Sequence, residues 1–210
     1  MKQEIFVTQA QQEALTRTRI DINSDVGSMV LVGSSGRGKT LILDALADKY
    51  DTRVYTKTEI SSMVTTKGYQ AIQELSQISY LILDDIESNV SINAFGTKFG
   101  NIYEEIIRNK LDMMAAGSIH YQKKINELTY LMERSYEAVG HMNRLGYDTH
   151  IQSCRESILK WEHVIKQKLF MSSNDDVEKN FDERTCDRIK TAIKICNVDG
   201  ESLRDNINTN

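Results

Sequence analysis

From Gly33 to Thr40 the chain reads Gly-Ser-Ser-Gly-Arg-Gly-Lys-Thr, which is the spacing G-x-x-x-x-G-K-[ST]. These residue types suit one task, the wrapping of a backbone around a polyphosphate. Glycines let successive N–H groups turn inward toward phosphate oxygens. A helix that begins just past Gly38 adds the positive end of its dipole. The Lys39 ammonium reaches the terminal phosphates, and the Thr40 hydroxyl takes a place on Mg²⁺. The expected nucleotide-binding segment is therefore Gly33, Ser34, Ser35, Gly36, Arg37, Gly38, Lys39, Thr40 and Leu41, with ATP and Mg²⁺ as cofactors.

A second chemical feature lies some forty residues on, where Tyr80-Leu81-Ile82-Leu83 runs straight into Asp84-Asp85. An apolar strand of a parallel sheet delivers whatever follows it to the ligand-binding edge. Asp84 is placed to hold Mg²⁺, and Asp85 to polarise an attacking water as general base. Acidic pairs also start ordinary turns after strands. What distinguishes this pair is its company with the phosphate loop. A base beside the metal-side carboxylate implies hydrolysis rather than transfer to a second substrate.

The elements around these residues alternate. Met29–Val32 is a short apolar run that stops at Gly33, as a buried strand does, and the residues after Gly38 continue as a helix. A second strand is expected at 53–56, two small helices over 58–76 with a break near Lys67-Gly68, and a third strand at 80–83. A polar helix over 8–19 leads in. A helix over 97–116 carries Ile102, Ile106, Leu111 and Met113 or Met114 on its buried side. A strand at 168–171, a helix over 182–194 and a strand at 195–198 close the chain. Continuous apolar strands alternating with helices predict an α/β fold, a parallel five-stranded sheet sandwiched by helices.

Residues 118–166 have a different texture. Ile125, Leu128, Met132, Tyr136 and Val139 step by three and four, as do Ile151, Cys154, Ile158, Trp161 and Ile165, with Gly140 and Gly146 between them. This predicts an antiparallel helical hairpin with an apolar seam, inserted in a single domain over 1–210. All four histidines, His120, His141, His150 and His163, fall inside it, and His150 and Cys154 stand at i, i+4. No dense ligand set accompanies that pair, so packing is the simpler account than zinc.

Composition narrows the classes. With 210 residues, 40% hydrophobic and 27% charged, the chain supports one well-cored globular domain. No apolar run reaches the roughly 18 residues that a membrane span needs, and Met1-Lys2-Gln3-Glu4 lacks the plan of a secretory signal. Cys154, Cys186 and Cys196 are odd in number and unpaired in spacing, which reads as reduced thiols and a cytoplasmic location. A net charge of −4 argues against a free-standing DNA-binding domain. The chain has no proline, which permits long helices.

Four stretches in order carry a family resemblance: the loop at 33–40, Tyr55-Thr56-Lys57-Thr58-Glu59-Ile60, the Asp84-Asp85 strand, and the tail. The chain resembles the AAA+ ATPases, a P-loop NTPase family, in the branch that holds the helicase loader DnaC and the transposition helper IstB and, more distantly, the initiator DnaA. In the tail, Phe170-Met171-Ser172-Ser173-Asn174 resembles the sensor-1 strand, Glu183–Ile189 the motif that supplies an arginine finger, and Asp199–Arg204 the closing segment. The resemblance implies that Asn174 positions the attacking water or the γ-phosphate. It implies that Arg188, or Arg184 one turn earlier, reaches a neighbouring subunit's ATP, and that Arg204 touches the chain's own γ-phosphate. It also implies an ATP-dependent homo-oligomer, helices at 58–77 that approach single-stranded DNA, and an expected absence of the C-terminal lid. The 118–166 hairpin departs from the family pattern. Its nearly cancelling charges suit a protein partner better than phosphate backbone.

The function expected from this is a slow, assembly-dependent ATPase switch that loads or remodels a replicative DNA helicase. An IstB-like transposition helper keeps the chemistry but predicts assembly on duplex DNA. A small-molecule P-loop kinase would want an arginine-rich lid, which 118–166 does not supply. A nucleotide-gated adaptor would share the binding residues.

Overall fold

The computed structural model describes residues 7–87, 91–94, 97–138, 149, 151–153, 155–156 and 167–199. The chain divides into two compact units, one of residues 1–111 with 168–210, the other of residues 112–167.

The larger unit is built on a five-stranded sheet. Its strands are β1 (Met29–Val32), β2 (Val54–Tyr55), β3 (Tyr80–Leu83), β6 (Lys168–Ser173) and β7 (Lys194–Asn197), in the order β2-β3-β6-β1-β7. Every pairing in it is parallel. The middle strands are apolar because both faces are covered: Val30, Leu31, Leu81, Ile82, Leu83, Leu169, Phe170 and Met171 are all fully buried. The chain has an α/β fold of the P-loop NTPase kind, read from its own strand order and loop.

Helix α1 (Gln9–Thr18) starts with a capping box, in which Thr8 and Gln11 satisfy each other's backbone N–H. The same device starts α3 (Lys57–Lys67), with Thr56 and Glu59. Helix α2 (Lys39–Tyr50) follows the glycine-rich loop. Gly68, at φ 59°, ends α3 and begins α4 (Tyr69–Gln77), so the break lies where the sequence puts it.

The core between α2 and the sheet joins Leu31, Ile42, Leu43, Leu46, Ile82 and Phe170. At the amino end of the sheet Tyr50 stacks on Tyr80, with ring centres 4.4 Å apart, and its hydroxyl bonds the backbone of Val26. That contact anchors the segment that feeds β1.

Two expectations are corrected. Residues 97–99 are not helical. They form β5 (Thr97–Phe99), antiparallel to β4 (Ile92–Ala94), and the next helix, α5, begins only at Ile102. Three-residue strands are too short to show a period, which is why the pair reads as helix in sequence. Nor does that helix stop near Ala116. α5 runs Ile102–Ala138 through Gly117. A mid-helix glycine costs about 1 kcal/mol and does not by itself end a helix.

Helices α6 (Val177–Asn180) and α7 (Glu183–Ala192) lie between β6 and β7. The described residues of 149–156 are helical, while Gly140, His141, Gly146, His150, Cys154, Ile158, Trp161, His163 and Ile165 lie outside the described residues. Among the described residues no helix is long and apolar enough to cross a membrane, and no cluster of three His, Cys, Asp or Glu could hold a metal.

Candidate nucleotide-binding site

The carboxyl ends of β1, β3 and β6 are neighbours, and the chemistry-bearing residues leave from those ends. Asp84 N–H bonds Tyr55 O (3.0 Å), Ile86 N–H bonds Ser172 O (2.8 Å) and Gly33 N–H bonds Ser173 O (3.2 Å). Three loops separate in sequence are thus laced together at one sheet edge.

Gly33 must be glycine here for lack of space. A Cβ on it would stand 2.5 Å from the Val198 carbonyl oxygen, and that backbone is fixed because Val198 N–H bonds Val32 O at 2.7 Å. Gly36 and Gly38 hold φ of 81° and 92°, the left-handed values that turn the loop back on itself. Gly38 is also the N-cap of α2, and no side chain caps that helix. The first amides of α2 therefore keep the donors that an anion takes.

Lys39 is buried. Its Nζ donates to Gly33 O (2.6 Å), Ser34 O (3.0 Å) and the Asn174 side-chain carbonyl (2.8 Å). Asn174 Nδ2 donates in turn to Asp85 Oδ1 (2.8 Å), so Lys39, Asn174 and Asp85 form one chain of hydrogen bonds from the loop to the acidic turn. Asp85 takes φ of 56°, a left-handed value that is uncommon for a residue with a Cβ and that collects at functional sites.

Thr40 Oγ1 donates to Asp84 Oδ2 at 3.0 Å. A hydroxyl and a carboxylate side by side are the oxygen pair that suits Mg²⁺, which keeps most of its shell for water and phosphate. The donor chemistry at this point fits the metal.

Sequence reasoning missed several contributors. Ser172, fully buried, donates to the second oxygen of Asp84 and accepts from Asp85 N–H at 2.9 Å, so it clamps the acidic turn. The signal available was a serine at the end of an otherwise apolar strand. Asp44, one helical turn after Thr40, has its carboxyl pushed up by burial, then by the charges of Asp84 and Asp48. A cation beside Asp84 would relieve that repulsion.

Arg188 and Arg184 stand on α7, half-buried and exposed respectively, and the hydrogen bonds that join Lys39, Thr40, Asp84, Asp85 and Asn174 are made without them. Arg37 is half-buried on the loop, Leu41 half-buried in the first turn of α2, and Ser34 and Ser35 are exposed. Arg204 lies outside the described residues. Helix α7 is itself fixed to α5: Asp182 caps Thr185 N–H at 2.7 Å, and Arg108 reaches Asp182, Glu104 and Thr185 Oγ1, the last at 2.8 Å. Those bonds hold the Asp182 carboxyl well below the usual carboxylate range, the bonds to Thr185 first.

No family model matches the chain, and no curated protein matches it. Among solved structures it is similar to AMPPCP-bound DnaA from Aquifex aeolicus, at 14% identity and a TM-score of 0.40, over 95% of this chain and 48% of that one. A DNA replication initiation factor gives 13% and 0.43, over 97% and 51%. A replication initiator DnaA bound to AMPPCP and single-stranded DNA gives 13% and 0.38, over 92% and 45%. The chain thus spans about half the length of the solved structures it resembles.

Proposed function

We propose that this protein binds ATP with Mg²⁺ at Gly33–Leu41 and hydrolyses it, as an AAA+ switch that acts in DNA replication by loading or remodelling a replicative helicase. The observation that carries the ATPase reading is the hydrogen-bonded chain Lys39–Asn174–Asp85 beside the Thr40–Asp84 pair, because it joins a phosphate-loop lysine to a candidate base.

Each residue has one task. Loop amides and Lys39 bind phosphate. Thr40 and Asp84 hold Mg²⁺, which when bound neutralises charge on the phosphate oxygens. Asp85 accepts a proton from the attacking water, and Asn174 fixes the orientation of Asp85. Ser172 keeps Asp84 and Asp85 from swinging apart. Arg204 is proposed to touch the terminal phosphate.

Arg188 is proposed to act in trans, on the nucleotide of a neighbouring copy, where a guanidinium stabilises charge on the transferring phosphoryl group. The 118–166 hairpin is proposed as an insertion in a single ATPase domain over 1–210, and as the part that meets a protein partner. Single-stranded DNA is a second candidate ligand, and the cytoplasm the proposed location.

The experiment is size-exclusion with light scattering, with and without a slowly hydrolysed ATP analogue, on wild type and Arg188→Ala. Oligomers that need nucleotide, with turnover lost in the variant, are the expected result. A monomer under every condition, with turnover indifferent to Arg188, refutes the assembly-dependent switch. Lys39→Ala should abolish nucleotide binding in the same series, and Asp85→Asn should keep binding but lose turnover.

A further inference from the structure

Asn174 joins Lys39 to Asp85 from a place beyond the end of the sheet. Strand β6 ends at Ser173, the last residue paired with β1, opposite Val32. Asn174 follows as an exposed residue, and Asp175 and Asp176 after it are exposed as well. Its carboxamide nonetheless reaches two partners at once, Lys39 Nζ and Asp85 Oδ1, each at 2.8 Å. A side chain with two rotatable bonds does that only from an accurately placed backbone. Near reacting groups a misplacement of about 1 Å costs about a hundredfold in rate.

The placement comes from Ser173, which is fully buried. Its hydroxyl donates to Asp175 O (2.6 Å) and accepts from Asp175 N–H (3.2 Å), which closes a ring around residue 174. Its carbonyl accepts from Gly33 N–H at 3.2 Å, so the same residue touches the start of the phosphate loop. The hydroxyl also accepts from the side-chain amide of Asn180, Nδ2 to Oγ at 2.7 Å. A serine hydroxyl has one donor and two acceptor sites, and here each is used.

Asn180 is the last residue of α6 and is 5% exposed. Val177 and Phe181 beside it are buried, the Cys186 thiol donates to both of their carbonyls at 3.5 Å, and Asn101 Nδ2 donates to the Asn180 carbonyl at 3.0 Å. Asn101 in turn caps Glu104 N–H at the start of α5 (3.4 Å). Burying a carboxamide is costly unless it is bonded, and an apolar side chain of the same volume fills such a space without that cost. What the apolar side chain lacks is the donor to Ser173.

We propose that Asn180 is a positioning residue of the hydrolytic site: through the Ser173 hydroxyl it fixes the turn that presents Asn174 to Lys39 and Asp85. The Asn180 amide and the Asp175 N–H occupy both acceptor sites of one oxygen. The hydroxyl hydrogen is thereby directed at Asp175 O, the bond that closes the ring around Asn174. Asn180 acts on where Asn174 sits, and the site residues are held ready before the reaction begins.

The proposal rests on the ATPase reading. Asn180→Leu removes the donor at nearly constant volume, and Arg108→Met, which unties α5 from α7, is the control for stability lost nearby. Expected for Asn180→Leu are an affinity for a fluorescent ATP analogue within about twofold of wild type and a kcat lowered roughly fivefold or more, the rate equivalent of one hydrogen bond. Arg108→Met should keep kcat within about twofold. Ser173→Thr retains the hydroxyl and should retain kcat, whereas Ser173→Ala should lose it. The double variant of Ser173→Ala with Asn180→Leu should be no slower than Ser173→Ala alone, because the two act through one bond. Should Asn180→Leu not fold, Asn180→Asp, which keeps the shape and loses the amide donor, takes its place with the same expectations. A kcat within about twofold of wild type in Asn180→Leu or Ser173→Ala, or additive losses in the double variant, overturns the positioning role while the ATPase reading stands. So does a loss of kcat that Arg108→Met matches at an equal thermal midpoint, which would make the effect one of stability alone. A wild-type protein that binds no ATP and shows no turnover overturns the ATPase reading and, with it, this inference.

Discussion

Lys110 is fully buried on α5, and its ammonium donates to the carbonyls of Ile78 and Ser79 at the end of α4. Burial lowers its pKa from 10.5 to about 8. The folded state therefore holds this proton less tightly than the unfolded chain does. Between about pH 8 and pH 10.5 unfolding takes up a proton, so the contribution of Lys110 to stability rises with pH in that window. The slope approaches about 1.4 kcal/mol per pH unit, and the fall from 10.5 to about 8 corresponds to about 3 kcal/mol. Below pH 8 the burial penalty is carried in full. Cys186, Cys196 and Tyr50 have raised pKa values and oppose the trend, each through burial first. A difference between wild type and Lys110→Met removes them. Urea unfolding of both proteins at pH 7.5, 8.5, 9.5 and 10 should give stabilities that diverge with pH, wild type gaining on the variant by about 1 kcal/mol per unit above pH 8. Parallel curves would show that the ammonium is not desolvated in the folded protein and would refute the reasoning.

Three further substitutions test the site. Gly33→Ala forces a methyl against the Val198 carbonyl, which a Cβ would approach to 2.5 Å, and should cost about 1–3 kcal/mol in denaturant unfolding together with nucleotide affinity. Wild-type stability in that variant would mean that β1 and the chain after β7 part easily. Ser172→Ala strips a donor from Asp84 and leaves Asp85 N–H without its acceptor, so we expect a loss of about 1–3 kcal/mol and a higher Mg²⁺ requirement for turnover, read by chemical denaturation and a Mg²⁺ titration. Arg108→Met unties α5 from α7 while leaving the nucleotide loop intact. ATP affinity measured by fluorescence should stay within about twofold, whereas the midpoint should fall by about 2–4 °C for each kcal/mol lost. Affinity lost together with stability would mean that α7 supports the loop directly.

The phosphate loop and the acidic strand end were legible because their chemistry is local. A glycine pattern that curls the backbone, a lysine and a threonine at fixed offsets, and an apolar run ending in carboxylates are properties of consecutive residues. Strands β1, β3 and β6 were legible for the same reason, since runs of three or four apolar residues stopped by glycine, polar or acidic residues need no partner to be noticed. The β4–β5 hairpin and the continuation of α5 past Gly117 were not. Strands of three residues carry no period, and whether a glycine ends a helix depends on what packs against it.

The amino-acid order by itself determined which residues are proposed to meet phosphate and metal, and that they leave the ends of buried parallel strands. Only the tertiary structure decided which side chains from distant segments complete the site. Ser172 clamps Asp84 and Asp85 because β3 and β6 pair in register, Leu83 opposite Met171. The start of α5 is tied to the end of β6 because Asn101 Nδ2 donates to the Asn180 carbonyl and Asn180 Nδ2 to Ser173 Oγ. The Ser172–Asp84, Ser172–Asp85 and Asn101–Asn180 bonds join residues 79 to 88 positions apart, and no spacing rule reaches that far. A side chain's hydrogen-bonding needs are set by its own chemistry, but whether they are met is set by which strand end the fold brings alongside.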